Sequence, residues 1–361
     1  MIPLIKPFIP AKEILMPRLE KILYSGYIAE GEVVYEFENK FSEVIGNKYC
    51  LSVSSGTAAL HIALELIGIG QGDEVISTAL TAEPTNTTIS LTGAKVVFAD
   101  VDYETGLISA GEIEKNITEK TKAIMVVHYA GMVCDMDKIN LISSKYNIPV
   151  IEDAAHALFS KYKGLYTGNN SRYTCFSFQA IKHMTTVDGG MLFLDNEEEY
   201  NRAKKLRWFG LDKKIPRLNN NITKPGYKYN MNNVNATIGL VQLDCLEENS
   251  FKYIYNGKYF DNALKNISGV TLIPYYNNTS PSYWLYTLKV ENRECFINKL
   301  EKNGIAASPL HLRNDRHKIF SSNKKLPNLD KFYDEFIHIP CGWWLNQEER
   351  EKIVNTIKSG W

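Results

Sequence analysis

A lysine isolated in an apolar stretch is the first residue of this sequence that suggests chemistry. Segment 176–191, FSFQAIKHMTTVDGGM, carries Lys182 as its single lysine, with no other charged side chain from Phe176 to Val187. Most lysines are solvated. One flanked by Phe176, Phe178, Ile181 and Met184 belongs in a pocket, where desolvation lowers its pKa and leaves a nucleophilic amine that can form a Schiff base. Ser177 lies five positions earlier, and Asp188-Gly189-Gly190 closes the segment. A second signal is Ile151-Glu152-Asp153 at the carboxyl end of an apolar run, the strand end at which ligands sit in open α/β sheets. Asp153 could pair with a cationic ring nitrogen or cap a helix beginning at Ala154, and both readings stay open. The third is Ser55-Gly56-Thr57, where a glycine lets backbone approach a ligand and helix N-terminal N–H groups attract an anion, typically phosphate. A plain N-cap suits the same residues. No Walker lysine follows, and Gly68, Gly70 and Gly72 fall in a turn after a helix, so neither nucleotide-loop motif applies.

A phosphate cradle, an acid for a pyridinium nitrogen and a pocketed lysine are together the requirements of pyridoxal 5'-phosphate (PLP). The elements around them read as α/β. Residues 34–46 have helical spacing and end at Gly46; 49–53 are short and apolar; a helix follows to Gly68. Strand-like runs at 73–78, 95–102, 122–129 and 148–153 alternate with helical patterns at 83–93, 109–117 and 136–147, which indicates βαβ units and a mostly parallel sheet covered on both faces. Helices are expected at 196–208 and 231–249, with a polar surface loop at 219–226 and a domain boundary near 245–255. The expected division is a large domain over 1–248 and a small C-terminal α+β domain over 249–361.

The 361 residues suggest about two domains. The 41 basic and 41 acidic residues balance, which argues against a nucleic-acid binder and against a charged disordered tail. No apolar run reaches membrane-spanning length, and the start MIPLIKPFIPAKEIL reads as mature chain without a signal peptide. Six scattered cysteines, with no CxxC and no Cys/His cluster, point to a reducing cytoplasm and to no metal site.

The chain resembles the DegT/StrS-type sugar aminotransferases, PLP enzymes of the aspartate-aminotransferase fold (fold type I). The likeness runs through GYIAEGEVVYEFENKFSEVIG, SSGTAALHIALELIGIGQGDEVI, IEDAAHAL, FSFQAIKHMTTVDGGM, GYKYNMNNVNATIGLVQL and IPCGWWLNQEER, in matching order over nearly the whole chain. The resemblance implies that Lys182 binds the cofactor covalently and, once displaced, moves a proton as general acid/base. It implies Asp153 on the pyridinium nitrogen, His156 near the cofactor's 3-oxygen, and Gly56, Thr57, Ala58 and Ser177 on the phosphate. It also implies that segment 1–33 contributes to the active-site region, and that residues 226–230 reach across a homodimer interface into the partner's site. The reaction implied moves an amino group from an amino acid, L-glutamate, to a keto-sugar. The acceptor implied is a nucleotide-linked 4-keto-6-deoxyhexose, for a cell-surface polysaccharide or glycan.

Two positions depart from the family pattern. Ala82 stands where an aromatic usually stacks on the PLP ring, so another side chain covers the ring or Glu83, Pro84 and Asn86 reshape that wall; Glu83 is then a substrate candidate or a plain surface carboxylate. Lys228 replaces a common Asn and would reach phosphate as a point charge. In 308–315, His311 and Arg313 are candidates for the substrate or its phosphates, against an ordinary polar loop. His128 and His183 read as structural. Three rivals remain. An aminotransferase acting on another phosphorylated ketone fits the two departures. A PLP-dependent sugar dehydratase would carry His in place of Lys182. A non-catalytic PLP-binding protein would leave the lysine idle.

Overall fold

A computed structural model describes residues 1–320 and 324–361. Its strands are β1 (Cys50–Val53), β2 (Glu74–Thr78), β3 (Lys95–Ala99), β4 (Thr121–Val127), β5 (Val150–Asp153), β6 (Lys161–Tyr162), β7 (Leu165–Tyr166), β8 (Tyr173–Ser177), β9 (Gly190–Leu194), β10 (Val270–Leu272), β11 (Thr279–Ser280), β12 (Tyr286–Val290) and β13 (Phe336–Ile339). Seven of them form the main sheet in the order β1-β9-β8-β5-β4-β2-β3. Pairing is parallel from β8 through β5, β4 and β2 to β3, and β9 alone runs against its neighbours β8 and β1. Strands β1, β2, β5 and β9 are buried along their whole length, as helices on both faces require.

Local signals set the connections. The helix Glu32–Ile45 stops at Gly46 and the helix Gly56–Ile67 stops at Gly68, both glycines at φ 84°, the left-handed C-cap conformation. A knot of rings, Phe37, Phe41, Phe176, Phe178 and Phe193, locks β8 and β9 under the Glu32–Ile45 helix. The long helix Asn233–Ala263 lies on that knot at Gly239, where a Cβ would come within 2.7 Å of the Phe37 ring.

The expected boundary at 248/249 falls inside the Asn233–Ala263 helix, which runs unbroken through it. A separate apolar core begins only at Phe260 and Leu264 and gathers Tyr286, Leu288, Phe296, Ile337 and Ile353 around the small sheet β10-β12-β13. That core also takes in Ile2, which bridges to Ile305, whereas Leu4 and Ile5 pack on the large core. The helix Lys12–Leu23 packs through Leu15 on Ile238 and Val241. The Pro327–Glu335 helix packs through Leu329 and Phe332 on the large core, and Asp100, just past β3, caps it: its carboxylate accepts from Asn328 N and Leu329 N in the first turn.

Candidate active site

The carboxyl ends of β2, β4, β5 and β8 open into one cleft of about 330 Å³. Alternation along β5 decides which of two adjacent carboxylates enters it. Glu152 turns the other way and accepts from His128 Nε2 at 2.6 Å. His128 Nδ1 accepts from the Cys134 N–H at 3.2 Å, which fixes the neutral tautomer and gives this fully buried pair a structural role. Asp153, the last residue of β5, faces the cleft. No helix begins at Ala154. Instead Asp153 Oδ1 accepts from Ala155 N at 3.1 Å in a tight turn, while Oδ2 accepts from Thr85 Oγ1 at 2.7 Å, and Thr85 Oγ1 lies 2.7 Å from Thr81 Oγ1. Burial pushes the Asp153 pKa up, and the donors from Thr85 and Ala155 oppose that rise.

Lys182 lines the same cleft, on the loop between β8 and β9. Phe176, Phe178 and Met184 around it are buried in the aromatic core, so the loop is held from below. Desolvation brings the Lys182 pKa down to about 7, and the Asp153 charge opposes that fall. The amine is thus partly unprotonated near neutrality, as a Schiff-base former requires. Its Nζ lies 4.0 Å from the centroid of Trp284, whose Nε1 donates to Ile181 O at 2.9 Å.

Ser55 is the N-cap of the Gly56–Ile67 helix, and its Oγ accepts from Ala58 N at 3.0 Å. The N-cap and anion readings of this turn therefore divide the donors. Ala58 N is spent on the cap, and the N–H groups of Gly56 and Thr57 remain at the cleft, without intrahelical acceptors. Ser177, at the end of β8, closes on Gly56: a Cβ there would lie 2.8 Å from Ser177 Cβ and 3.3 Å from its Oγ.

His156 is buried and neutral, since burial holds its pKa well below the usual range. Its ring stacks on Trp284 at 4.0 Å and runs parallel to His311 at 6.2 Å. Ala82 precedes the helix Glu83–Leu91 and lines the cleft with Glu83 and Pro84. Asn86 is turned away, donating to Thr78 O and Asn314 Oδ1. Glu83 sits at the mouth, with His317 Nε2 3.7 Å from its Oε1. His311 lines the cleft, and its buried Nε2 has no partner among the described residues. His183 is buried beneath, donating from Nε2 to Ser282 O at 3.1 Å.

Arg313 corrects the sequence expectation. Nε and Nη2 bond Asp315 Oδ1 and Oδ2, each at 2.7 Å, and Nη1 bonds Asp330. The guanidinium is buried with its fork filled, so it is not free for a substrate phosphate. Lys228 lies outside its own chain's cleft, over the Trp208 ring and bonded to Asn230 Oδ1 at 2.9 Å. Sequence reasoning missed Thr85 and Trp284. Thr85 has a faint signal, a hydroxyl in the first turn of a helix that starts at the sheet edge; Trp284 has none. Among the described residues no group of three or more His, Cys, Asp or Glu side chains is placed to hold a metal ion.

The residues fit PLP. The Gly56–Ser177 contact is a backbone cradle that a Cβ would obstruct, and the cleft brings the desolvated amine of Lys182 together with a buried carboxylate still able to accept.

Comparison with known proteins agrees. A profile of the DegT/DnrJ/EryC1/StrS aminotransferase family matches residues 11–358. The spore coat polysaccharide biosynthesis protein SpsC of Bacillus subtilis is 32% identical over 98% of this chain and 95% of its own length. The crystal structure of the sugar aminotransferase CalS13 from Micromonospora echinospora superposes with TM-score 0.96 at 34% identity, over 100% of each chain. The PLP form of the putative sugar aminotransferase Spr1654 from Streptococcus pneumoniae gives 0.90 at 29%, over 99% of this chain and 98% of that one. The fold is that of the fold type I PLP enzymes.

Proposed function

Since the chain belongs to the DegT/DnrJ/EryC1/StrS aminotransferase family, whose members depend on PLP, we propose that it carries an amino group from L-glutamate to a nucleotide-linked 4-keto-6-deoxyhexose in the cytoplasm, for a cell-surface glycan. The observation that carries this reading is the pairing, in one cleft, of the desolvated Lys182 with the buried Asp153 beside the Gly56–Ser177 cradle. The likeness to a polysaccharide biosynthesis protein and to a sugar aminotransferase supports the acceptor class. Six unpaired thiols suit a reducing compartment, and among the described residues no helix is long and apolar enough to cross a membrane.

The cofactor, when bound, supplies an electron sink for the carbon whose nitrogen is transferred. The chain does the rest. Gly56 N, Thr57 N and Ser177 Oγ would hold the phosphate, with Ala58 N taken by the Ser55 cap. Asp153, aligned by Thr85 and Ala155, holds the proton on the ring nitrogen. Lys182, poised near pH 7, binds the cofactor and then takes and returns a proton at Nζ. His156, held neutral by burial, would meet the 3-oxygen, and Glu83 and His311, which line the cleft, would face the acceptor sugar.

Ala82 leaves one wall of the cleft without an aromatic, which also suits a different phosphorylated ketone as acceptor. Lys228 and the 226–230 segment are assigned to a partner subunit's cleft in a homodimer. Leu218 and Ile222, both exposed, lie just before that segment and would be covered there, together with exposed Tyr27, whose carbonyl accepts from Asn233 Nδ2.

The test is to incubate the protein with PLP, glutamate and a panel of keto-sugar nucleotides and keto-phosphates, then identify the product by mass. An aminated nucleotide sugar is expected. Amination of keto-phosphates alone would move the acceptor to the second class, and no amination of any ketone would refute the reading.

A further inference from the structure

Both chain neighbours of Lys182 are pinned to one short segment that enters the cleft from the small domain. Trp284 Nε1 donates to Ile181 O at 2.9 Å, and His183 Nε2 donates to Ser282 O at 3.1 Å. The segment is itself anchored at both ends. Ser282 N donates to Ser160 Oγ at 3.2 Å, and Leu285 N donates to Ala130 O at 3.4 Å. Between them Tyr283, at φ 51°, sends its hydroxyl to Asp261 Oδ2 at 2.7 Å, and Tyr286 bonds Oδ1 of the same carboxylate at 2.9 Å. Trp284 is held at 1% exposure, with one face on His156 and with Lys182 Nζ 4.0 Å from its centroid. An indole supplies both a donor and a face rich in negative charge, and neither phenylalanine nor histidine supplies the pair.

We propose that Trp284 is the positioning residue of the reactive lysine: its N–H fixes the loop that carries Lys182, and its face receives the amine whenever that amine is free. The free amine then stays in the cleft, where it can take and return the proton, and does not swing out to solvent. The groups facing Nζ are Asp153 from β5, His156 after it, His183 on the lysine's own loop and His311 from the small-domain loop. The indole face stabilises the ammonium against burial, so weakening that face should lower the lysine's pKa further. This inference rests on Lys182 being the residue that binds the cofactor.

The test uses the full chain freed of PLP. Trp284 alone is replaced by tryptophans of increasing fluorination, which drain the ring's charge at nearly constant shape. Lys182 is titrated by the pH dependence of its trinitrophenylation, read on its own peptide by mass. A stepwise fall totalling about one pH unit is expected across the series. A flat series overturns the face contact. In Trp284→Phe, whose smaller ring has a weaker face, the titration should fall by part of the fluorination range while amide exchange over 179–186 rises about fivefold, as loss of a single hydrogen bond implies. Unchanged exchange overturns the tether. Turnover measured in parallel separates the failures. A flat titration with normal turnover removes the clamp alone, whereas turnover that survives Lys182→Ala removes the reading beneath it.

Discussion

Replacing Thr85 by valine isolates the electrostatics of the cleft floor. The change is nearly isosteric and removes one donor, Thr85 Oγ1, from Asp153 Oδ2 at 2.7 Å. Burial already pushes the Asp153 pKa up, and this bond is the main influence opposing the rise. A hydrogen bond to an ionised group contributes about 1.5–3 kcal/mol, against about 1 kcal/mol for a neutral one. The Asp153 pKa should therefore climb by roughly a further unit, at 1.36 kcal/mol per unit. Two consequences follow, each with its own assay. In the cofactor-free protein the variant should be about 2 kcal/mol less stable at a pH above the raised pKa, where the carboxylate is charged. As pH falls through that value the charge is lost in both proteins, and the deficit should shrink towards about 1 kcal/mol. Urea unfolding from pH 4, near the ordinary carboxyl value above which the Asp153 pKa is raised, to pH 8 measures this. In the loaded enzyme, a weaker hold on the ring-nitrogen proton should slow the glutamate half-reaction by roughly tenfold, by stopped-flow absorbance. A deficit that is the same at every pH, with an unchanged half-reaction, would refute the role given to this hydroxyl and with it the placement of Asp153 under the ring.

The rate at which the cofactor-free protein takes up PLP should rise with pH and level off just above about 7, where burial places the Lys182 pKa; a midpoint near that of an ordinary lysine would show the amine to be solvated. Arg313→Ala should cost about 2 kcal/mol of stability in denaturant unfolding, because it removes a buried guanidinium bonded to the half-buried Asp315 and to Asp330, while the folded fraction keeps its acceptor KM. A raised KM at unchanged stability would return Arg313 to the substrate. Co-expressed Lys182→Ala and Lys228→Ala chains, each inactive alone, should regain about a quarter of the activity through mixed dimers with one intact site. No recovery would place Lys228 outside the partner's cleft.

The placement of Lys182 and Asp153 in the cleft was legible because their signals are local: a lone cation among aromatic and aliphatic neighbours, and a carboxylate at the end of an apolar strand. The sheet was legible for the same reason, from runs such as 122–129 and 148–153 bounded by helical patterns. The boundary near 248 was not, because the Asn233–Ala263 helix serves both cores and the turn-type pair Asn256-Gly257 lies inside it, where Gly257 makes room for the Tyr283 ring and does not end the helix. Trp284 meets Ile181 across 103 residues, a contact only the assembled fold reveals. Arg313 was misread although its sequence held a clue: Asp315 stands two positions on, close enough to fill the fork that was offered to a phosphate. The Ser55 turn was read both ways; the structure shows the cap on Ala58 N and leaves the N–H groups of Gly56 and Thr57 at the cleft.

The central claim is that the amine of Lys182 binds the cofactor. Borohydride reduction of the protein loaded with PLP, followed by proteolysis and mass mapping, tests it without reference to any substrate. The account requires a pyridoxyl tag on Lys182 in the peptide that spans 176–191, absent from Lys182→Ala. A tag on any other lysine, or a wild-type protein that acquires none, would contradict it.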